Sequence, residues 1–189
     1  MWSWLAALGL ALTAAAVSAA PAASSSDLMA ALAAGGHVAI LRHAIAPGGG
    51  DPPGFRIGDC ATQRNLAEAG RQQASRIGNR LRVHGIERAR VYSSQWCRTR
   101  ETAEKLGLGK VVELPVLNSF FQTPEKADRQ TVELRRWIQR QDLNEPLILV
   151  THQVNITALT GIYPASGEMV ILARKPDGSL EVRGNVKMD

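Results

Sequence analysis

The chain has 189 residues, of which 45% are apolar and 21% charged, with a formal net charge of +5. That length suits one α/β domain with a real core, and the mixture excludes disordered and fibrous classes beyond the first thirty residues. Aromatic residues make up only 5% and are not interleaved with basic ones, so nucleic acid binding is not expected; Arg71, Arg76, Arg80 and Arg82 read as a solvated helix face.

Met1 to Ala23 contains no charged side chain, and Leu5 to Val17 is apolar apart from Thr13. The run is shorter than the roughly 20 apolar residues that span a bilayer. Val17-Ser18-Ala19 offers small side chains for a signal peptidase. Residues 1–19 therefore read as a signal peptide, 20–34 as a spacer and short helix, and 35–189 as the functional domain. No Lys or Arg precedes the run, and the competing readings are an uncleaved anchor or a buried helix. Export implies a periplasmic or secreted protein without stable membrane insertion after cleavage. In that oxidising setting Cys60 and Cys97 are a possible disulfide, the alternative being two half-buried thiols.

His37 to Leu41 follows Gly35-Gly36 as a short apolar run, a buried strand. Pro47 to Pro53 is a Gly/Pro loop. Leu66 to Val83 is helical, with Leu66, Ala74, Ile77 and Leu81 on one side and Gly85 as its stop. Ala89 to Ser93 is a second strand, Arg98 to Leu106 a short helix ended by Gly107, and Val111 to Leu117 a third strand. Thr123-Pro124-Glu125 predicts a hydroxyl-capped helix start, and the helix carries Val132, Leu134, Trp137 and Ile138. Pro146 to Val150 is continuously apolar, as in a parallel sheet covered on both faces. Val154 to Leu159 begins another helix. Met169 to Leu172 and Leu180 to Arg183 form a terminal hairpin around Asp177-Gly178. This alternation implies an α/β fold, a mostly parallel sheet flanked by helices on both faces, with a C-terminal β-hairpin.

Ligands of such sheets bind at the carboxyl ends of the strands. Those ends read Arg42-His43, Ser93-Ser94 with Arg98 just beyond, and Thr151-His152. Two imidazoles and two guanidiniums would thus converge on one edge. Guanidinium forks bind phosphoryl oxygens bidentately and stay charged. A neutral imidazole can attack phosphorus, and a second, protonated one would stabilise the equatorial oxygens.

Leu41-Arg42-His43-Ala44, the run from Tyr92-Ser93-Ser94 through Arg98-Thr99 to Glu101-Thr102-Ala103, and Val150-Thr151-His152 together resemble the histidine phosphatase superfamily, the phosphoglycerate mutase-like proteins. The resemblance spans His37 to about Leu172. It implies His43 as the phosphate-accepting nucleophile, with Arg42, Arg98 and His152 completing the phosphate-binding pocket, and neither a metal nor an organic cofactor.

The chain departs from the family pattern in three places. Ala44 stands where many members have glycine. Gln153 follows His152, so the aspartate of the acid-phosphatase branch is missing. Leu117-Asn118-Ser119-Phe120 lacks the glutamate of the mutase-like branch. A leaving alkoxide still needs a proton, so Glu168, at a strand start, is the first possible acid and Asp51, in the loop after His43, the second. Arg64 is a possible substrate contact. A Cys60–Cys97 bridge would tether that loop to the turn holding Arg98.

The expected activity is a phosphomonoesterase working through a phosphohistidine on His43, with a phosphorylated small molecule or glycan as substrate. The leader, size and Arg-His-Ala start resemble small exported members proposed to act on heptose phosphate of lipopolysaccharide core. The alternatives are a protein phosphohistidine phosphatase and a non-catalytic phosphate-binding envelope module. The sequence leaves the oligomeric state open.

Overall fold

The computed structural model describes residues 23–188; the signal-peptide reading of 1–19 lies outside the described residues. Among the described residues, six strands form one sheet: β1 (His37–Arg42), β2 (Arg90–Ser93), β3 (Val111–Glu113), β4 (Leu147–Thr151), β5 (Met169–Arg174) and β6 (Leu180–Val186), ordered β3-β2-β4-β1-β5-β6. The first four run parallel, and β5 and β6 close the sheet as an antiparallel hairpin. The helices are α1 (Ser25–Ala34), α2 (Glu68–Val83), α3 (Cys97–Leu106), α4 (Ala127–Gln139) and α5 (Gln153–Thr160).

The period-2 alternation of strand side chains divides the core into two layers. Ala39, Leu41, Ile148, Val150, Met169 and Ile171 face the side covered by α1, α2 and α3. Val38, Ile40, Leu147, Leu149, Val170 and Leu172 face α4 and α5. Every residue of β4 is buried, which is why its sequence shows no polar alternation. Burying a Leu or Ile side chain contributes about 1.5–3 kcal/mol, so these layers outweigh any single polar contact in holding the sheet together.

Three sequence expectations shift. The spacer before residue 35 is part of the fold: Ser24 and Asp27 form a capping box, and Leu28, Met29 and Leu32 of α1 are buried. The domain therefore includes α1, because its apolar side completes the core shared with β1 and β6. The third strand ends at Glu113; Pro115, which lacks an N–H for the ladder, opens a 3-10 turn over Pro115–Leu117. Thr123 makes no side-chain cap, and a 3-10 turn over Pro124–Lys126 precedes α4.

Two glycines set how closely α2 packs. A β-carbon at Gly70 would lie 2.1 Å from the carbonyl oxygen of Ile45, and one at Gly78 would lie 2.1 Å from that of Leu106. The first contact brings α2 against the segment leaving β1, and the second brings it against α3. The helix thereby holds together the two segments that supply His43 and Arg98.

Candidate active site

Because β4 lies between β1 and β2, the carboxyl ends of three parallel strands stand side by side. Arg42 pairs with Thr151, and Ser93 with Val150. The ladder continues one step further: His43 N–H donates to the Thr151 carbonyl and Ser94 N–H to the Val150 carbonyl, both at 3.0 Å. Backbone register thus sets His43, Ser94 and His152 level, and α3 begins just beyond to bring in Arg98.

Arg42, His43, Asp51, Arg64, Arg98 and His152 line one cavity of about 700 Å³. The rings of His43 and His152 are 5.6 Å apart at their centroids. His43 is 2% exposed, and its Nδ1 lies 2.8 Å from the Ala44 carbonyl oxygen. A carbonyl only accepts, so Nδ1 carries the proton and Nε2 keeps the lone pair. His152 Nε2 lies 2.8 Å from Ser94 Oγ, and its Nδ1 receives an Arg98 N–H at 3.4 Å. That assigns the His152 proton to Nε2, which donates to Ser94.

Burial, then the Arg98, Arg64 and Arg42 charges, lower His43 from its ordinary 6.5 to about 3. Burial, then Arg98 and His43, hold His152 well below 6.5. Both rings are therefore neutral in the free protein at pH 7. His43 is then a ready nucleophile, whereas His152 is not the pre-charged imidazolium expected from sequence. The fixed positive charge comes instead from Arg42, Arg64 and Arg98, whose own pKa values burial depresses. The Nε atom of each of these three guanidiniums is buried without a hydrogen-bond partner. Against them stands Asp51, bonded to both terminal nitrogens of Arg98. Burial alone would raise Asp51, but its bonds to Arg98, Arg64 N–H and Trp96 hold it below the usual carboxylate range.

The neutral imidazoles make the fold acid-sensitive. Between pH 6.5 and about 3 the unfolded chain binds more protons than the native one, so stability rises with pH across this window and is lost as pH falls through it. Thermal unfolding midpoints should drop between pH 6.5 and 4, above the range where Asp51 contributes. A His43→Asn/His152→Asn double variant should show a much flatter decline; an unchanged slope would assign the sensitivity to other groups.

Glu168 does not join the cavity. Antiparallel β5 starts at this edge, but the Glu168 carboxylate is 5% exposed and accepts bonds from Ala165 N–H and Asn185 Nδ2. It fastens the turn before β5 to β6, so the first acid expectation is corrected. Arg64 does line the cavity, and Cys60 and Cys97 are joined, with a Cα–Cα separation of 5.7 Å. In the chain-entropy picture, closing a loop of that sequence separation stabilises the fold by about 4 kcal/mol. The bridge ties the segment holding Arg64 to the start of α3.

Sequence reasoning missed several supports. Thr102 Oγ1 accepts the Ala44 N–H and donates to the Arg98 carbonyl, locking the two halves of the site together. Trp96 stacks edgewise on His152 at 5.3 Å and donates its indole N–H to Asp51. Glu101 pairs with Arg71 of α2 at 2.6 Å. The only signal for these was the compactness of the 93–103 motif. Among the described residues, no group of three or more His, Cys, Asp or Glu side chains is placed to hold a metal ion.

No curated protein sequence matches the chain significantly. Among solved structures, the protein histidine phosphatase SixA complexed with tungstate is similar, with TM-score 0.58 and 16% identity over 80% of this chain and 97% of that one. A mutant phosphoserine phosphatase from Entamoeba histolytica in complex with phosphoserine has TM-score 0.61 and 13% identity over 81% and 98%. A mycobacterial glucosyl-3-phosphoglycerate phosphatase has TM-score 0.56 and 15% identity over 77% and 96%. These likenesses concern the fold. Residues 56–120, which hold Arg64 and Arg98, match the model of the histidine phosphatase superfamily (branch 1). That match takes in about a third of the chain, and His43 and His152, which lie outside it, line the same cavity as Arg64 and Arg98.

Proposed function

We propose that this protein is an exported phosphomonoesterase that hydrolyses a phosphorylated small molecule or glycan through a phosphohistidine on His43. The observation that carries this reading is His43 itself. Its Nδ1 proton is committed to the Ala44 carbonyl, so the Nε2 lone pair is the one available in a cavity lined by three guanidiniums. Arg42, Arg64, Arg98 and Lys126 line the cavity against the Asp51 carboxylate, a net positive charge that suits a phosphomonoester dianion.

His43 Nε2 attacks phosphorus, the P–O bond to the leaving group breaks, and the guanidiniums take the charge that builds on the equatorial oxygens. His152 Nδ1, now beside an anion, can take a proton and add a donor. Water then opens the phosphohistidine and returns the electron pair to Nε2. The phosphohistidine, phosphoserine and glucosyl-phosphoglycerate phosphatases that share the fold support phosphomonoester chemistry here. Export is supported by the apolar leader and by the Cys60–Cys97 bridge, a bond that persists in oxidising compartments. A glycan substrate, such as a sugar phosphate of the cell envelope, rests on resemblance to the exported branch.

Turnover of p-nitrophenyl phosphate tests the reading. Activity should persist in EDTA and fall with vanadate. Chelator-sensitive turnover, or none, would sink it.

A further inference from the structure

The acid that protonates the leaving group is the gap in this mechanism, and the structure narrows the choice. Asp51 is the sole carboxylate among the described residues that line the cavity. Its loop follows β1, and Gly48 and Gly50, both at positive φ (84° and 72°), shape the approach to it. Oδ1 accepts from Arg98 Nη1 at 2.7 Å and from Arg64 N–H at 3.1 Å; Oδ2 accepts from Arg98 Nη2 at 3.1 Å and Trp96 Nε1 at 3.0 Å. The carboxylate thus occupies the guanidinium edge that a phosphoryl group would use.

We propose that Asp51 is the proton donor to the leaving group, clamped on Arg98 in the free enzyme and released from it by the arriving phosphoryl group. The inference rests on the phosphohistidine reading above. A dianion competes with a single carboxylate for the Arg98 fork, and the fork favours the greater charge. The carboxylate then faces the phosphoryl oxygens, with Arg64, Arg42 and the two imidazoles as its other ionisable neighbours. Like charge beside it favours its protonated form, and the proton comes from solvent or from the monoanionic ester.

In the first step His43 Nε2 forms the N–P bond, the P–O electron pair passes to the leaving oxygen, and that oxygen takes the Asp51 proton. In the second, Asp51 takes a proton from the attacking water as the P–N bond breaks. One residue serves as acid and then as base, and inorganic phosphate leaves.

The test is leaving-group dependence in D51N. An alkyl phosphate such as glycerol 2-phosphate needs the acid; p-nitrophenyl phosphate, whose anion leaves unaided, needs it far less. D51N should lose about 10²-fold or more in kcat on the alkyl ester and less than about tenfold on the aryl ester. It should also bind vanadate at least as tightly as wild type, because the competitor for Arg98 is gone, and that binding shows an intact cavity. Equal losses on both esters, no loss on either, or loss of vanadate binding would each overturn the proposal. The parent reading fails separately, by turnover that survives in His43→Ala.

Discussion

His43→Ala should abolish turnover of both aryl and alkyl phosphates, by about 10⁴-fold or more, since losing a nucleophile removes the covalent route altogether. The variant should still fold. The imidazole makes one hydrogen bond, to the carbonyl of its own neighbour, and otherwise packs against His152. Inorganic phosphate should still bind, held by Arg42, Arg64 and Arg98. Brief mixing of the wild-type protein with labelled substrate should trap acid-labile phosphate on the protein, and His43→Ala should trap none. This separates the enzyme from a non-catalytic phosphate-binding module, in which neither protein would be labelled. It also separates histidine from serine as acceptor, because phosphoserine survives acid, and stability of the label in alkali separates histidine from a carboxylate, whose acyl phosphate alkali hydrolyses.

How much of this could be seen in advance depended on whether the information was local. β4 was legible because a strand covered on both faces must be apolar throughout. Strand ends point to the ligand edge of a parallel sheet, so Arg42, His43, Arg98 and His152 could be named without knowing any distance. Glu168 went astray because a strand start fixes an edge but not the direction of a side chain. Its carboxylate is claimed by Asn185 on β6, a partner that only the hairpin register brings close. Ser94 and His152 are 58 residues apart, and Ala44 and Thr102 likewise; pairings at such separations leave no periodic trace. The neutrality of His152 was equally hidden, since it results from burial and from three guanidiniums drawn from three parts of the chain. The Ala-rich stretch ahead of β1 looked like a spacer because so little of α1 is large and apolar, although Leu28, Met29 and Leu32 suffice to fill their place in the core.

Arg98→Ala should lower both activity and stability, for reasons a second substitution can separate. The guanidinium and the Asp51 carboxylate are 3% and 6% exposed and 2.7 Å apart. Removing one partner of such a pair leaves a buried charge uncompensated, at a cost of about 3–5 kcal/mol. The Trp96 indole N–H and the Arg64 backbone N–H remain on Asp51 but are neutral donors, and the Arg64 guanidinium acts on it without a hydrogen bond to replace the lost fork. In denaturant titrations Arg98→Ala should therefore fall well below wild type, and Arg98→Ala/Asp51→Asn should recover most of the loss, since an amide in that position has no charge to neutralise. Catalysis should not recover. An arginine that stabilises a transferring phosphoryl group is worth about 10³–10⁵-fold in rate, and neither variant has a fork to offer. Arg98→Lys gives the intermediate case: the charge keeps Asp51 paired and much of the stability, but a point charge cannot hold two oxygens in a plane, so phosphate affinity and kcat/KM should both stay far below wild type. If the double variant proved no more stable than Arg98→Ala, the buried pair would not be the source of the loss, and the same guanidinium would have to be doing its structural work through His152 and the Arg64 carbonyl instead.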